Sequence, residues 1–221
     1  MRKYKAIIFD WDGTVMDSTH SITRSIQLAS QDLGLPVPSQ EEANWIIGLS
    51  LETGLYRILP QLDEQTMPQF IERYRYHYFQ CDTELQLFEG MNELLVDLKQ
   101  KNILLSVATG KKRIGLDRAL EATGLGPIFD ATRCADETKS KPDPQMLHEL
   151  MWELDIKPTE ALMVGDTTHD IDMAHQAGMD SLAVTYGAHD LRTLQRSEPV
   201  GIVHNVVQMQ QWVGQRVAFM D

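Results

Sequence analysis

The 221-residue sequence has few cysteines, few basic residues and no long apolar run. Cys81 and Cys134 lie far apart and form no CxxC pair, so we expect idle thiols in a reducing cytoplasm. Its 20 lysines and arginines against 32 acidic residues give a net charge of −12, which argues against a nucleic-acid partner. No apolar run is long enough to span a bilayer. The apolar run that follows the basic residues at the start of the sequence is too short for a signal sequence. We therefore expect a cytoplasmic protein that binds neither nucleic acid nor membrane.

The sequence predicts an α/β fold with a doubly wound parallel sheet. Apolar runs typical of buried strands occupy residues 6–9, 103–108, 161–165, 181–185 and 200–203, and a weak strand is expected to begin at 128–130. Helical patterns separate these runs as far as 181–185, and Gly124 is the predicted stop of one helix. Strands that alternate with helices favour a parallel sheet with helices on both faces.

One long region departs from this alternation. Helical patterns alone follow the first strand, over 19–33, 40–47, 51–59 and 63–80, and Ser39 with Glu42 matches a capping box. We therefore predict a helical cap domain at 16–85 that is inserted into a core domain made of 1–15 and 86–221.

Polar residues follow the predicted strands at points that a parallel sheet brings to one edge. They are Asp10 and Asp12, then Thr109 and Gly110, then Lys141, then Asp166 and Asp170. Since ligands of open α/β sheets bind at this edge, these residues are the candidate site.

The acidic members suit phosphoryl transfer. Asp10 could attack phosphorus as a nucleophile, and Asp12 could protonate the leaving oxygen and later deprotonate water. Two carboxylates this close repel each other, and a hard cation held by Asp10 and Asp166 would offset the repulsion. Octahedral oxygen coordination makes Mg²⁺ the expected cofactor.

The remaining members suit anion binding. Thr109 and the backbone N–H of Gly110 would donate hydrogen bonds to phosphate oxygens near a helix N-terminus. Lys141 would place a positive charge beside the transferring group, and its pairing with Pro142 favours it over the neighbouring Lys139.

These motifs resemble those of the haloacid dehalogenase superfamily of phosphohydrolases. Residues 10–14, Asp-Trp-Asp-Gly-Thr, resemble the first motif of that superfamily, and Thr109 resembles the second. Lys141 resembles the third motif, and residues 165–170 resemble the fourth. The resemblance implies a Rossmann-like core with Mg²⁺ held by Asp10, Asp166 and the backbone carbonyl of Asp12, and supported by Asp170. The helical insert resembles the cap of the phosphoglycolate phosphatase-like branch. True dehalogenases lack the second aspartate, here Asp12, and use no metal.

The sequence thus predicts a magnesium-dependent phosphatase that acts on a small phosphorylated metabolite through an aspartyl-phosphate. Alternatives left open are a phosphomutase of the β-phosphoglucomutase kind, a pyrophosphatase, and a non-enzymatic receiver-type domain. The substrate is also open, with phosphoglycolate as one candidate, and so is the choice between monomer and homodimer.

Three further features carry less specific expectations. His169 is expected to be a solvated residue at a helix start, since Mg²⁺ prefers oxygen ligands. The basic run 111–113 is expected to form a solvated face that could draw an anionic substrate inward. The aromatic cluster of Tyr74, Tyr76, Tyr78 and Phe79 is expected to pack the cap rather than to bind a ligand.

Overall fold

A six-stranded parallel sheet forms the centre of the structure, a computed structural model that describes residues 4–81 and 86–217, the side chain of Cys81 excepted. The strands are β1 (Ala6–Phe9), β2 (Leu104–Thr109), β3 (Ala131–Cys134), β4 (Ala161–Gly165), β5 (Asp180–Val184) and β6 (Gly201–Val203). Their order is β3-β2-β1-β4-β5-β6, with every pair parallel. The predicted doubly wound sheet is confirmed.

Helices occupy the connections between these strands. The α-helices of the described residues are α1 (Thr19–Asp32), α2 (Gln40–Trp45), α3 (Leu51–Ile58), α4 (Met67–Cys81), α5 (Met91–Gln100), α6 (Arg113–Thr123), α7 (Gln145–Glu153), α8 (Thr168–Gln176), α9 (Leu191–Arg196) and α10 (Val206–Gly214). Gly124 ends α6 in the left-handed conformation (φ 69°), as predicted for a glycine stop.

Strand β1 lies at the centre of the sheet, paired with β2 on one side and β4 on the other. Its side chains alternate between two apolar clusters, because successive residues of a strand face opposite sides. Ile7 and Phe9 pack with the layer of α5, α6 and α10, whereas Ala6 and Ile8 pack with α7 and α8. The strand order changes direction next to β1, which is where open α/β sheets form a crevice.

Helices α1–α4, called the cap from here on, have an apolar cluster of their own. Ile26, Leu55 and Phe70 are fully buried in it. The predicted capping box is present, since Ser39 Oγ accepts from the Glu42 N–H at 3.2 Å and the Glu42 carboxylate accepts from the Ser39 N–H at 2.8 Å. The domain boundaries at 15/16 and 85/86 stay predictions, and residues 1–3, 82–85 and 218–221 lie outside the described residues.

Three local predictions differ from the structure. The third strand begins at Ala131 rather than at 128, because Gly126–Ile128 form a 3-10 turn. Helix α4 begins at Met67 rather than at 63, because the Asp63 carboxylate accepts from the N–H groups of the turn before it. Helix α9 was not predicted, and Asp190 caps its first turn. The starts of α4 and α9 depend on side chains that bond the backbone, a signal that hydrophobic periodicity does not carry.

Two further sequence expectations concern the cysteines and membranes. Cys134 is buried, and burial raises the pKa of its thiol to about 12, so it is protonated at neutral pH. The side chain of Cys81 lies outside the described residues. Among the helices of the described residues, none is long and apolar enough to cross a membrane.

Candidate active site

Asp10 lies at the carboxyl end of β1, where the strand leaves the sheet. Its backbone N–H donates to the Val164 carbonyl at 2.9 Å, so β4 holds the residue in place. Its side chain is 1% exposed, and Oδ1 accepts from Lys141 Nζ at 2.6 Å. The other oxygen, Oδ2, is buried without a hydrogen-bond partner among the described residues. A buried carboxylate oxygen in this state is suited to a cation or a reacting group.

Asp166 and Asp170 approach Asp10 from β4 and α8. Asp166 directly follows β4, and its carboxylate accepts from Thr14 Oγ1 at 2.9 Å and from the Ala188 N–H at 2.7 Å. Asp170 lies in the first turn of α8, where it forms a capping box with Thr167. Both carboxylates are fully buried, and their partners fix their positions.

The three aspartates form an acidic cluster. Carboxylate oxygens of Asp10, Asp166 and Asp170 lie within 4.8 Å of one another. Burial, together with the negative charges of the neighbouring carboxylates, raises the pKa of Asp10 well above its usual range and that of Asp166 to about 7. Without a bound metal ion, protonation of carboxylates in this cluster is therefore favoured. Buried oxygen donors with a raised proton affinity fit a hard divalent cation such as Mg²⁺.

Lys141 supplies a positive charge next to this acidic cluster. It is 2% exposed, and Nζ donates to Asp10 Oδ1 and Asp170 Oδ1, each at 2.6 Å. Burial opposes its charge, yet the attraction of the two carboxylates raises the pKa of Lys141 above its ordinary value. Lys141 thus stays charged, and it offsets part of the negative charge that burial makes unfavourable.

Asp12 points away from the acidic cluster toward the cap. Its Oδ1 accepts from Ser18 Oγ at 2.6 Å and pairs with Lys111 Nζ at 2.9 Å. The Lys111 side chain is only 14% exposed, so the predicted solvated face is wrong for this residue. Lys111 Nζ also donates to the Tyr78 hydroxyl of α4 at 3.4 Å. One lysine therefore connects the candidate acid/base to the cap.

Thr109 and Gly110 lie at the end of β2, where the cap approaches the sheet most closely. Thr109 is buried, and its Oγ1 accepts from the Lys111 N–H at 3.1 Å. A Cβ atom at Gly110 would overlap the backbone carbonyls of Gly48 and Leu49. Glycine is therefore required here for a close approach between two backbones.

The loop 186–189 also belongs to the site, although it was missed in the sequence. A Cβ atom at Gly187 would overlap the Asp166 carboxylate, and the next residue, Ala188, donates its N–H to that carboxylate. Tyr186 donates its hydroxyl to the Thr14 carbonyl at 3.1 Å. The only available signal was the glycine that follows β5, and a glycine after a strand is too common to indicate a site.

Two histidines join the core to the cap. The Nε2 atoms of His169 and His189 donate to the Trp45 carbonyl at 2.9 and 3.2 Å. The Trp45 ring stacks on His189 with 4.6 Å between centroids. The expectation that His169 is solvated is wrong, since it is 5% exposed. The cap covers it, and the position of the cap could not be read from local sequence.

His189 is held as a neutral imidazole. Its Nδ1 accepts from the Thr168 N–H at 3.1 Å while Nε2 faces the Trp45 carbonyl, which can only accept. Burial, with the neighbouring His169, lowers the pKa of His189 to about 4. Burial likewise lowers the pKa of His169.

A cavity of about 530 Å³ opens from Asp12 and Gly110 between the cap and α6. The edge of the sheet thus combines a carboxylate with a free oxygen, a fixed cation, an acid/base candidate and an adjacent cavity. All seven predicted site residues lie at this edge, namely Asp10, Asp12, Thr109, Gly110, Lys141, Asp166 and Asp170. Their catalytic and ligating roles remain predictions.

Comparison with known proteins gives consistent matches over the chain. A family model described as haloacid dehalogenase-like hydrolase matches residues 7–184. Probable phosphatase IndB of Dickeya dadantii (strain 3937) is 36% identical, over 89% of this chain and 88% of its own. The phosphoglycolate phosphatase of Aliivibrio fischeri is 31% identical, over 88% and 90%. A crystal structure of a predicted phosphatase from Clostridium acetobutylicum superposes with a TM-score of 0.84 at 28% identity, covering 96% of this chain and 99% of the other.

Proposed function

Because the chain belongs to the family of haloacid dehalogenase-like hydrolases, we propose that it is a magnesium-dependent phosphatase of a small phosphorylated metabolite. Asp10 attacks phosphorus, the bond from phosphorus to the leaving oxygen breaks, and an aspartyl-phosphate forms. Asp12 gives a proton to the leaving oxygen. It then takes a proton from a water molecule that attacks phosphorus, which breaks the bond from phosphorus to Asp10 and releases phosphate. Two proton transfers through one residue return the site to its starting state.

The other residues bind and orient the phosphoryl group. Thr109 and the Gly110 N–H donate to its oxygens, and Lys141 holds Asp10 beside it while offsetting negative charge. Asp10, Asp166 and the Asp12 backbone carbonyl would hold Mg²⁺, with Asp170 in support. The bound cation would neutralise phosphate charge and keep Asp10 ionised.

One observation carries the proposal more than any other. The Asp10 oxygen without a partner lies within a buried acidic cluster whose proton affinity is raised, beside a buried lysine. An ordinary structural aspartate would have both oxygens bonded. An Asp10 oxygen that is not engaged by the protein is expected if Asp10 is a nucleophile that reacts only after a metal ion has bound.

Replacement of Asp10 by asparagine tests this proposal. We expect Asp10→Asn to lose at least 10³-fold in kcat for acetyl phosphate with Mg²⁺, while its circular dichroism spectrum is unchanged. Asp17→Asn, at an exposed aspartate seven positions along, is the matched control and should retain activity. Full activity in a folded Asp10→Asn variant would contradict the mechanism.

Assays of the wild-type protein with a phosphate ester, a hexose phosphate and pyrophosphate, each with Mg²⁺, separate the alternatives by the fate of the phosphoryl group. A phosphatase releases free phosphate from an ester. A phosphomutase would instead return an isomerised hexose phosphate, and a receiver-type domain would stay phosphorylated. A pyrophosphatase would hydrolyse pyrophosphate in preference to esters.

A further inference from the structure

The cavity beside Asp12 is larger and more apolar than a small, highly charged leaving group requires. Its volume of about 530 Å³ lies within the range of sites for drug-sized ligands. Glycolate is a two-carbon acid, and the leaving group of pyrophosphate is a phosphate ion. Neither would fill this space, so water would remain in the cavity beside the reacting bond.

Aromatic and aliphatic side chains of the cap form one wall of the cavity. Tyr74 and Tyr78 lie one turn apart on α4, and their rings stack with 5.8 Å between centroids at an angle of 23°. Ile22, Ile26 and Ile71 continue this wall. The surface is suited to the face of a ring, because aromatic side chains favour stacked and edge-to-face contacts with other rings.

The opposite wall, from α6, has small residues at its centre. Gly115 and Ala119 face the cavity, and a Cβ atom at Gly115 would meet nothing within 4 Å. Ile114 lies at the outer end of this wall and is 76% exposed. These small residues take up little of the space between α6 and the cap.

Four basic side chains line the cavity; three of them make the contacts given next, and the fourth, Arg75, is exposed to solvent. Lys111 pairs with Asp12, and Lys112 pairs with Glu52 of the cap at 2.8 Å. The Arg118 guanidinium lies 4.3 Å from the centroid of the Phe79 ring. A carboxylate or a second phosphate on the leaving group would have to displace these contacts to find a buried counter-charge.

We propose that the substrate is the phosphomonoester of an alcohol that carries an apolar ring, with the ring held between Tyr74 and Tyr78 of α4 and Gly115 of α6. This assignment rests on the proposed phosphatase function, since it places the phosphoryl group at Asp10. The ring excludes water from the cavity on the leaving-group side of Asp12. Tyr74 and Tyr78 also pack against the apolar cluster of the cap, as predicted, whereas Tyr76 is 52% exposed and does not line the cavity.

A binding experiment tests the assignment without turnover. Calorimetric titration in Mg²⁺ buffer compares benzylphosphonate with methylphosphonate and phosphonoacetate, which are not hydrolysed. We expect benzylphosphonate to bind at least 10-fold more tightly than either of the others. Equal affinities, or tighter binding of phosphonoacetate, would overturn the assignment.

Filling the cavity supplies the matched variant. Gly115→Leu adds a side chain where Cβ has room, and leucine favours a helix more than glycine does, so the fold should be retained. We expect it to abolish the preference for benzylphosphonate. The control Gly214→Leu, at an exposed glycine of α10 with similar room, should keep the preference. A preference that survives Gly115→Leu would place the ring elsewhere.

Turnover separates the two proposals. Wild-type protein should hydrolyse benzyl phosphate with a kcat/KM at least 10-fold above that for phosphoglycolate. The preference should appear mainly in KM, since the ring is remote from phosphorus. Tight binding of benzylphosphonate without hydrolysis of any ester would refute the phosphatase and leave the ring site standing. Hydrolysis that favours phosphoglycolate would refute the ring site alone.

Discussion

The acidic cluster and the cap cavity lie on opposite sides of Asp12 and are built in contrasting ways. In the acidic cluster, Lys141 bonds both Asp10 and Asp170 at 2.6 Å, and other partners hold Asp166. The cavity has a wall of ring and aliphatic surfaces on the cap side, with charged residues such as Lys111 and Lys112 elsewhere in its lining. Buried charges tolerate little displacement, because a lost partner leaves a desolvated charge. Apolar contacts change gradually with area.

Because of this difference, we expect the acidic cluster to determine the reaction and the cavity to determine which substrate is preferred. Changes on the acidic side should affect every substrate alike, since all substrates share the phosphoryl group. Changes on the cavity side should affect substrates according to their leaving groups. Lys111, Trp45 and the backbone of Gly110 make contacts between the core and the cap.

The largest effect is expected from removal of the lysine in the acidic cluster. Lys141→Met leaves Asp10 and Asp170 buried without their cation, so we expect kcat/KM to fall about 10³-fold. Unfolding by urea should show a loss of about 3–5 kcal/mol. Lys139→Met, at a side chain that is 71% exposed, is the matched control and should change stability by less than about 0.5 kcal/mol. Unchanged kcat/KM and unchanged stability in Lys141→Met would contradict the view that the acidic cluster tolerates little change.

A smaller effect is expected from the loop that supports Asp166. In Gly187→Ala, the added Cβ overlaps the Asp166 carboxylate and must displace it. We expect the Mg²⁺ concentration for half-maximal activity to rise about 10–100-fold, as for other residues that orient a ligand. Gly126→Ala, where Cβ meets nothing within 4 Å, serves as the control. If Gly187→Ala needed no more Mg²⁺ than wild type, Asp166 would not be a ligand of the metal.

The smallest effect is expected at the joint between core and cap. The pKa of His189 is about 4 in the folded chain, against about 6.5 for an unperturbed histidine. Between these values the unfolded chain binds a proton that the folded chain does not, so stability is lost as the pH falls. At pH 5 this amounts to about 2 kcal/mol relative to pH 7.5.

The variant His189→Asn isolates this contribution. Its side-chain oxygen can accept from the Thr168 N–H, but the residue does not titrate. Urea unfolding of wild type and variant at both pH values, in Mg²⁺ buffer, measures the difference. If wild type and variant lost the same free energy of unfolding between pH 7.5 and pH 5, His189 would not be taking up a proton on unfolding.

Sequence reasoning found the acidic side far better than the cavity side. Asp10, Asp12 and Asp166 follow short apolar runs, and a parallel sheet brings strand ends together whatever the connections are. The cavity depends on how α4 lies against α6, which no local pattern encodes. For that reason the packing of Tyr74 and Tyr78 in the cap was predicted, but their place in the cavity wall was not, and His169 looked solvated. Gly187 was missed because its role is defined by a side chain on another strand.

The central position of β1 has a consequence for how the molecule is made. Asp10 is synthesised early, but Lys141, which pairs with it, comes 131 positions later, and Asp166 lies 152 positions after Thr14. A nascent chain that ends before β4 has only one of the two neighbours of β1. Such long-range pairings slow folding, and an unpaired central strand exposes apolar edges in the meantime. Under the proposed mechanism, a growing chain would therefore be inactive until Asp166, and with it most of the protein, has left the ribosome.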